Sequence, residues 1–184
     1  GEGLLPHVTL HDALKDLPAL SCGKESTVYA APPDNEFLSW VRQGGSDTLT
    51  EHKAPNNSAH LRKIMAALKD GQGKDDLPEE LRPKSGFKNT YAKLWWEKPA
   101  TTITRNFACP SSSRCIHPKD SRALTIREGA RLQSFPDNYQ FYGSDCLKRL
   151  EIGNAVPPLL SVVLAEQMLK ALDSENNIPP DSRH

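Results

Sequence analysis

Three arginines and one glutamate in the stretch 122–137 are the residues whose type and spacing most clearly could do chemistry. Arg122, Arg127 and Arg131 carry fixed positive charge, and the short helix predicted here contains Glu128 as its only acid. Two cations four residues apart repel mildly on a solvated helix face. We therefore expect the guanidinium groups to meet carboxylates, backbone carbonyls or phosphates. The alternative is an amphipathic core helix with surface arginines.

The sequence itself marks the ends of this helix. Thr125 is a favourable N-cap residue, and Glu128 follows three positions later, which predicts a capping box. Apolar side chains recur at helical spacing across 125–135. Pro136 cannot continue the hydrogen-bond ladder, so the helix is expected to stop before it.

A second candidate surface is a basic span that the composition of the whole chain hides. Acidic and basic side chains balance at 23 each, so any nucleic-acid contact has to come from local clustering. Residues 84–114 contain six basic side chains and a single acidic one, Glu97. The basic residues are Lys84, Lys88, Lys93, Lys98, Arg105 and Arg114. Hydroxyl groups beside Arg and Lys suit contacts to phosphates and base edges, and an ordinary basic β-rich surface is the alternative.

The cysteines predict neither disulfides nor a metal site. Cys22, Cys109, Cys115 and Cys146 are widely spread, and free thiols fit an intracellular, reducing environment. The spacing of Cys109, Cys115 and His117 matches no common zinc site, and a fourth ligand is not evident. No apolar run approaches membrane-spanning length, so no membrane association is expected.

Other segments carry weaker signals of secondary structure. Thr9 predicts a helix that ends at Pro18, and residues 58–70 predict another. Residues 37–41 are expected to form a strand or a buried turn, and the β-branched cluster in 98–105 favours a strand.

The last apolar run, residues 159–172, predicts a helix that begins at Pro157 or Pro158. This helix is apolar around most of its circumference, which implies burial against a sheet. Few candidate strands on this chain could form such a sheet. The polar tail from Asp173 is expected to be disordered.

Three blocks together resemble the DNA cytosine-C5 methyltransferase family. Residues 122–137 are similar to the ninth motif of that family, and residues 151–158, Glu-Ile-Gly-Asn-Ala-Val-Pro-Pro, are similar to its tenth. Residues 96–104 and the Cys-Pro-Ser-Ser-Ser-Arg-Cys-Ile-His-Pro segment after them resemble the end of the target recognition region of bacterial-type members. The blocks follow the order and spacing of the family, and the similarity covers about residues 50–172.

The resemblance implies an α/β fold class and a division into parts. The chain would be the C-terminal part of a two-lobed, S-adenosylmethionine-dependent methyltransferase. It would form a small mixed α+β recognition lobe and a final helix that packs on a Rossmann-like lobe. Residues 1–20 would connect from the catalytic lobe, 21–145 would form the target recognition domain, 146–172 would return to the cofactor lobe, and 173–184 would form the tail.

The activity that the resemblance implies is transfer of a methyl group from S-adenosylmethionine to C5 of a cytosine flipped out of duplex DNA. The protein would be intracellular and DNA-associated, nuclear in a eukaryote and cytoplasmic in a bacterium. The tenth motif of the family lines the cofactor site, which implies cofactor contacts from Asn154, Ala155 and Val156. Gly153 would allow close backbone approach, and the Asn154 amide can both donate and accept hydrogen bonds.

The resemblance also divides the polar residues between DNA contacts and scaffold. DNA contacts are expected from four residues: Thr102, Arg105, Ser112 and Arg114. A structural role with internal hydrogen bonds is expected for four residues of the ninth motif: Arg122, Arg127, Glu128 and Arg131.

The departures from the family concern catalysis. The cysteine that follows a proline, the Glu-Asn-Val motif, the Gln-x-Arg-x-Arg segment and the glycine-rich first cofactor motif do not occur in this sequence. Cys109-Pro110 has the two residues in reverse order, so no catalytic residue is expected here. An N-terminal catalytic half, on the same longer chain or a separate subunit, would supply the nucleophile. The alternative is a non-catalytic DNA-binding or regulatory module derived from the family.

Overall fold

The computed structural model describes residues 7–45, 47–84, 87 and 89–176, without the side chains of 174–176. Helices and strands are mixed in this part of the chain. The helices are α1 (Leu10–Leu14), α2 (Glu36–Val41), α3 (Ala59–Ala67), α4 (Ile126–Leu132), α5 (Asp145–Asn154) and α6 (Pro158–Asn176). The strands are β1 (Ala92–Lys93) and β2 (Arg114–Ile116), and two 3₁₀ turns cover Lys74–Asp76 and Glu79–Leu81.

Side chains at the N-termini fix where the helices begin. Thr9 and Thr125 each accept a hydrogen bond from the backbone N–H three residues on. Asp12 and Glu128 each accept one from the backbone N–H of the cap residue, so both helices carry a complete capping box. Ser58 caps α3 in the same way through one bond. The starts of α1, α3 and α4 therefore agree with the sequence prediction.

The end of α4 differs from the prediction. The helix ends at Leu132, and Gln133 is its C-cap, whose N–H still donates to carbonyls of the last turn. Ser134 then adopts left-handed backbone at φ 60°. That conformation costs about 1–2 kcal/mol for a residue with a β-carbon. The chain has thus left the helix before Pro136 could terminate it.

The main core joins segments that are far apart in the sequence. α4 packs against both α1 and α5. Buried apolar side chains from all three helices and from the loops between them meet here: Leu10, Leu14, Leu94, Phe107, Leu124, Ala130, Phe135 and Ile152. Residues 10–17 contribute to this core because the apolar face of α1 is buried in it. Ile152 of α5 belongs to the same core.

A smaller core lies under α3. Ile64 and Met65 pack there with Leu68, Leu77 and Ile116. β2 supplies Ile116 and pairs in parallel with β1. This short ladder therefore ties the α3 region to the segment that leads into α4.

Two segments differ from their predicted secondary structure. Residues 37–41 lie in α2, because the Asn35 side chain caps a helix that begins just before them. Residues 98–105 form no strand. Their contacts are to helices instead, as in the hydrogen bond from the Leu10 N–H to the Lys98 carbonyl. A segment with no strand edge beside it cannot express its β propensity.

α6 exposes almost all of its surface. The exposed fractions of its apolar side chains are close to or above one half, as for Leu160, Val163, Leu164, Met168, Leu169 and Leu172. Its burial against a sheet, expected from the sequence, is therefore absent from the described part of the chain. The helix also continues to Asn176, so residues 173–176 are helical rather than disordered. The remaining tail, 177–184, lies outside the described residues.

The stretch Asp145–Asp173 meets the length and composition test for a helix that could cross a membrane, and its apolar window contains no buried residue. The expectation that no apolar run approaches membrane-spanning length is therefore wrong. The reason is that the run after Pro158 contains few charged side chains. Length and composition alone do not distinguish a membrane from a protein surface as the cover for such a helix.

The backbone of the segment 104–105 packs closely against Gly153 on α5. A β-carbon at this position would lie 2.1 Å from the Arg105 backbone nitrogen and 2.4 Å from the Thr104 carbonyl carbon. We expect Gly153→Ala to lower the free energy of unfolding by about 1–3 kcal/mol, because backbone atoms would have to move. Urea denaturation measures this change. Glu151→Ala, an exposed change on the same helix, is the matched control, and equal stability of the two variants would contradict the packing.

Candidate functional site

Arg131 is the centre of a buried charge network on α4. Its Nε donates to Asp137 Oδ1 at 3.0 Å, and its Nη2 donates to Asp137 Oδ2 at 2.7 Å and to Asp16 Oδ2 at 3.1 Å. Its Nη1 donates to the Ala13 carbonyl at 3.0 Å and to Asp16 Oδ1. All five N–H donors of the guanidinium are therefore used. Arg131, Asp16 and Asp137 are all buried, so the three charged groups are shielded from solvent.

A second pair, Arg122 with Glu128, lies at the N-terminus of the same helix. Arg122 holds the Glu128 carboxylate with two parallel bonds, of 2.8 and 2.7 Å, and also donates to Asp120 Oδ2 at 2.7 Å and to the Leu20 carbonyl at 2.9 Å. Burial opposes ionisation of Glu128. The charge of Arg122 and its hydrogen bonds outweigh burial and hold the pKa of Glu128 well below its usual range.

Arg127 completes the network. It donates to the Thr50 carbonyl at 3.0 Å and to Thr50 Oγ1 at 2.8 Å, and it shares Asp137 with Arg131. Tyr29 also donates to Asp137, at 2.8 Å, and burial together with the charge of that carboxylate raises the pKa of Tyr29 to about 12. The three guanidinium groups thus have the internal hydrogen bonds that the sequence predicts for them. They fix segments of the chain in place rather than face a ligand.

Three of the four candidate DNA contacts lie on accessible surface. Thr102, Arg105 and Ser112 are exposed. Thr102 lines a cavity of about 340 Å³ beside α4. Ser113, which the sequence did not single out, donates to the Asn106 carbonyl at 2.8 Å and closes the loop that carries Arg105 and Ser112.

Arg114 was expected to contact DNA, but its guanidinium is bonded within the chain. Its Nη1 donates to the carbonyls of Gly71, at 2.9 Å, and of Lys93, and its guanidinium lies 4.1 Å from the centroid of the Trp95 ring. Arg114 is half-buried. Lys93 is buried, and its ammonium donates to two oxygen atoms of the turn 118–121. A count of charges treats both residues as free cations, because it carries no information on burial.

The three candidate cofactor contacts lie where α5 gives way to α6. Asn154 and Val156 are exposed and Ala155 is half-buried. The Asn154 amide has no hydrogen-bond partner among the described residues and can both donate and accept, which suits a zwitterionic ligand. The apolar side chain of Val156 lies exposed two residues further on. Gly153 was expected to allow a close backbone approach, and its missing side chain makes room for the Thr104–Arg105 backbone.

Two residues after α4 were missed by sequence reasoning. Gln133 Nε2 donates to the carbonyls of Ile152, at 3.1 Å, and Ala155, at 3.2 Å. Ser134 Oγ accepts a hydrogen bond from the Leu159 N–H at 3.1 Å. The only signal in the sequence is that Gln133 and Ser134 are two adjacent polar residues inside the predicted helix 125–135.

No thiol in the described part of the chain is paired with a carboxylate. Cys109 Sγ lies 3.3 Å from Ser111 Oγ; burial raises the pKa of this thiol, but hydrogen bonds with Ser111 and Ser112 outweigh burial and lower it. Cys115 is buried, which raises its pKa to about 12. Among the described residues no group of three or more His, Cys, Asp or Glu side chains could hold a metal ion.

The sequence and the fold have counterparts among known proteins. Residues 36–170 match the model of the family described as C-5 cytosine-specific DNA methylase. Because the match covers more than half of the chain, the protein belongs to that family. A solved structure described as a prophage-encoded DNA modification methyltransferase (E. coli) shares the fold, with a TM-score of 0.63 and 19% identity over 93% of this chain and 49% of that one.

Named relatives come from bacteria and plants. The type II methyltransferase M1.HphI of Haemophilus parahaemolyticus is 37% identical over 135 residues, which are 73% of this chain and 35% of the relative. M.DdeI of Desulfomicrobium norvegicum is 35% identical over 88% of this chain and 43% of the relative. The DNA (cytosine-5)-methyltransferase 1B of Oryza sativa subsp. japonica is 31% identical over 91% of this chain and 13% of the relative. The chain thus spans less than half the length of these three relatives.

Replacement of Arg131 tests the charge network. Arg131→Met would leave the buried carboxylates of Asp16 and Asp137 without their main partner, and we expect a loss of about 3–5 kcal/mol in the free energy of unfolding. Arg131→Lys should also be destabilising, since an ammonium cannot bond two carboxylates in the planar geometry of a guanidinium. Urea denaturation followed by circular dichroism measures both. Arg62→Met, an exposed change on α3, is the control, and a similar small effect at both positions would contradict the role of Arg131.

Proposed function

We propose that this chain is the target-recognition part of a DNA cytosine-C5 methyltransferase and forms one wall of its S-adenosylmethionine site. A catalytic half, on the same longer chain or on a separate subunit, supplies the nucleophilic cysteine and the acid that engages the cytosine ring. Family membership supports the general reaction. The restricted part assigned to this chain accords with its covering less than half of its relatives.

The contact between Gly153 and the Arg105 backbone is the observation that carries this proposal. It brings the loop with the candidate DNA contacts directly against the helix that ends at Asn154. A methyl transfer needs its two reactants held within a few ångströms of each other. A DNA surface and a cofactor wall that share one backbone contact are compatible with that requirement.

The DNA surface consists of exposed groups on the loop 98–112. Arg105 contacts phosphate, and the hydroxyls of Thr102 and Ser112 contact phosphate or base edges, which is the usual division of such contacts. Arg114 is not part of this surface, because its guanidinium is bonded to backbone carbonyls. Duplex DNA is the substrate, and the target cytosine leaves the helix to reach the catalytic half.

The cofactor wall consists of Asn154, Ala155 and Val156. S-adenosylmethionine, when bound, supplies the methyl group as an electrophile. The Asn154 amide hydrogen-bonds its polar groups, and Val156 excludes water beside it. These residues bind and orient the cofactor and take no part in proton transfer.

The apolar surface of α6 packs on the Rossmann-like lobe of the catalytic half. This cover accounts for exposed leucines, valines and methionine that water disfavours. The protein is then intracellular and DNA-associated, and α6 is a protein-facing helix rather than a membrane-spanning one.

Reconstitution tests the proposed function. This chain is mixed with a segment that carries the Pro-Cys, Glu-Asn-Val and glycine-rich cofactor motifs, and transfer of labelled methyl groups to duplex DNA is measured. We expect transfer in the mixture and in neither part alone, because the nucleophile and the recognition surface lie on different parts. A mixture whose catalytic segment has the motif cysteine replaced by alanine is the control. DNA binding without any transfer would favour a non-catalytic module instead.

Arg105 is tested by the salt dependence of DNA binding. Arg105→Ala should weaken binding and reduce the slope of log K against log salt concentration by about 0.9, the value for one lost contact to a duplex phosphate. Fluorescence anisotropy of a labelled duplex gives both quantities. Arg62→Ala, on the exposed surface of α3, should leave the slope unchanged. An unchanged slope for Arg105→Ala would remove this residue from the DNA surface.

A further inference from the structure

We infer that Gln133 and Ser134 form a clamp that positions the cofactor wall and so sets the affinity for S-adenosylmethionine. The inference rests on the proposed function of residues 154–156. Neither clamp residue touches the cofactor in this role. Both act through the backbone of the link between α5 and α6, which makes them positioning residues.

Gln133 holds the end of α5. The last carbonyls of any α-helix lack partners within the helix and need them from elsewhere. The Gln133 amide nitrogen has two hydrogens, and its bonds to the carbonyls of Ile152 and Ala155 enclose the residue Asn154 between them. The backbone from which the Asn154 side chain projects is thereby fixed on both sides.

Ser134 holds the start of α6. The N–H of Leu159 belongs to the first turn of that helix and has no partner within it. Ser134 Oγ accepts this N–H at 3.1 Å, and the serine side chain is itself buried. Adjacent residues of one turn thus hold both ends of the link 155–157.

The backbone of Ser134 supports a functional reading of this turn. Its φ of 60° is unfavourable for serine, and such conformations persist at sites where the surrounding structure requires them. Arg131, three residues earlier, is bonded to Asp16 and Asp137, so the turn follows a helix that is held by two buried carboxylates. The buried network therefore reaches the cofactor wall through two side chains.

Four variants separate the clamp from general packing. Gln133→Ala removes both donors. Ser134→Gly keeps the left-handed backbone and removes only the acceptor. Ser134→Asn introduces a side-chain oxygen and tolerates left-handed backbone. It should therefore recover part of the hydrogen bonding to the Leu159 N–H that Ser134→Gly loses. Gln43→Ala, at an exposed glutamine in the turn after α2, is the matched control.

Hydrogen exchange and cofactor affinity measure the effect of the clamp. In this chain, hydrogen exchange at the amides of Ala155 and Leu159 should become faster in Gln133→Ala and Ser134→Gly, with the α4 amides unchanged. In the mixture with the catalytic segment, the dissociation constant for S-adenosylmethionine, measured by equilibrium dialysis, should rise roughly threefold to tenfold for the loss of one or two hydrogen bonds. Affinity for duplex DNA should stay the same.

The outcomes are distinct. Local exchange that stays at the wild-type rate, unchanged cofactor binding, or a general loss of structure in both variants would overturn the clamp. A wild-type mixture that binds no S-adenosylmethionine would refute the proposed function, and the exchange rates would still decide whether the clamp holds the link. Faster local exchange together with weaker cofactor binding supports the clamp, as does partial recovery of the wild-type values in Ser134→Asn.

Discussion

The bonds from Arg131 to Asp16 and Asp137 are the interaction on which the other parts of the structure depend. Removal of three charged groups from water is costly, and it is tolerated because every donor of the guanidinium is matched by an oxygen atom. Such a network adds little stability beyond that of a well-packed apolar core. Its effect is to decide which segments meet, since any other arrangement would leave a charge buried without a partner. The segments that contain α1 and α4 are joined in this way.

Local features of this network could be predicted from sequence, whereas its partners could not. A capping box needs two residues three positions apart, so Thr125 and Glu128 were recognisable directly. The mild repulsion between Arg127 and Arg131 correctly indicated internal partners. Asp16 lies 115 positions before Arg131, however, and no periodicity connects them. Long-range pairs of this kind require knowledge of which chain segments pack together.

The errors in the prediction arise from the same limit. Arg114 and Lys93 count as basic surface until the fold supplies carbonyl oxygens around them. The β-branched residues of 98–105 favour a strand only if a neighbouring strand exists, and here α1 lies beside them. Gly153 was correctly expected to permit a close approach, but the approaching group is the Arg105 backbone. In each case the residue type was informative and the identity of the neighbour decided its role.

The arrangement also bears on how a partner would act. The candidate DNA loop packs on α5, α5 is bonded to the turn after α4, and α4 is held by buried charge pairs. The backbone geometry of both exposed surfaces is therefore set by contacts within this chain. Ordering a mobile site on binding would cost conformational free energy, and a preformed one avoids most of that cost. A catalytic half that covers α6 would then add reactive groups to two surfaces that already lie side by side, which is the condition for rapid transfer between bound reactants.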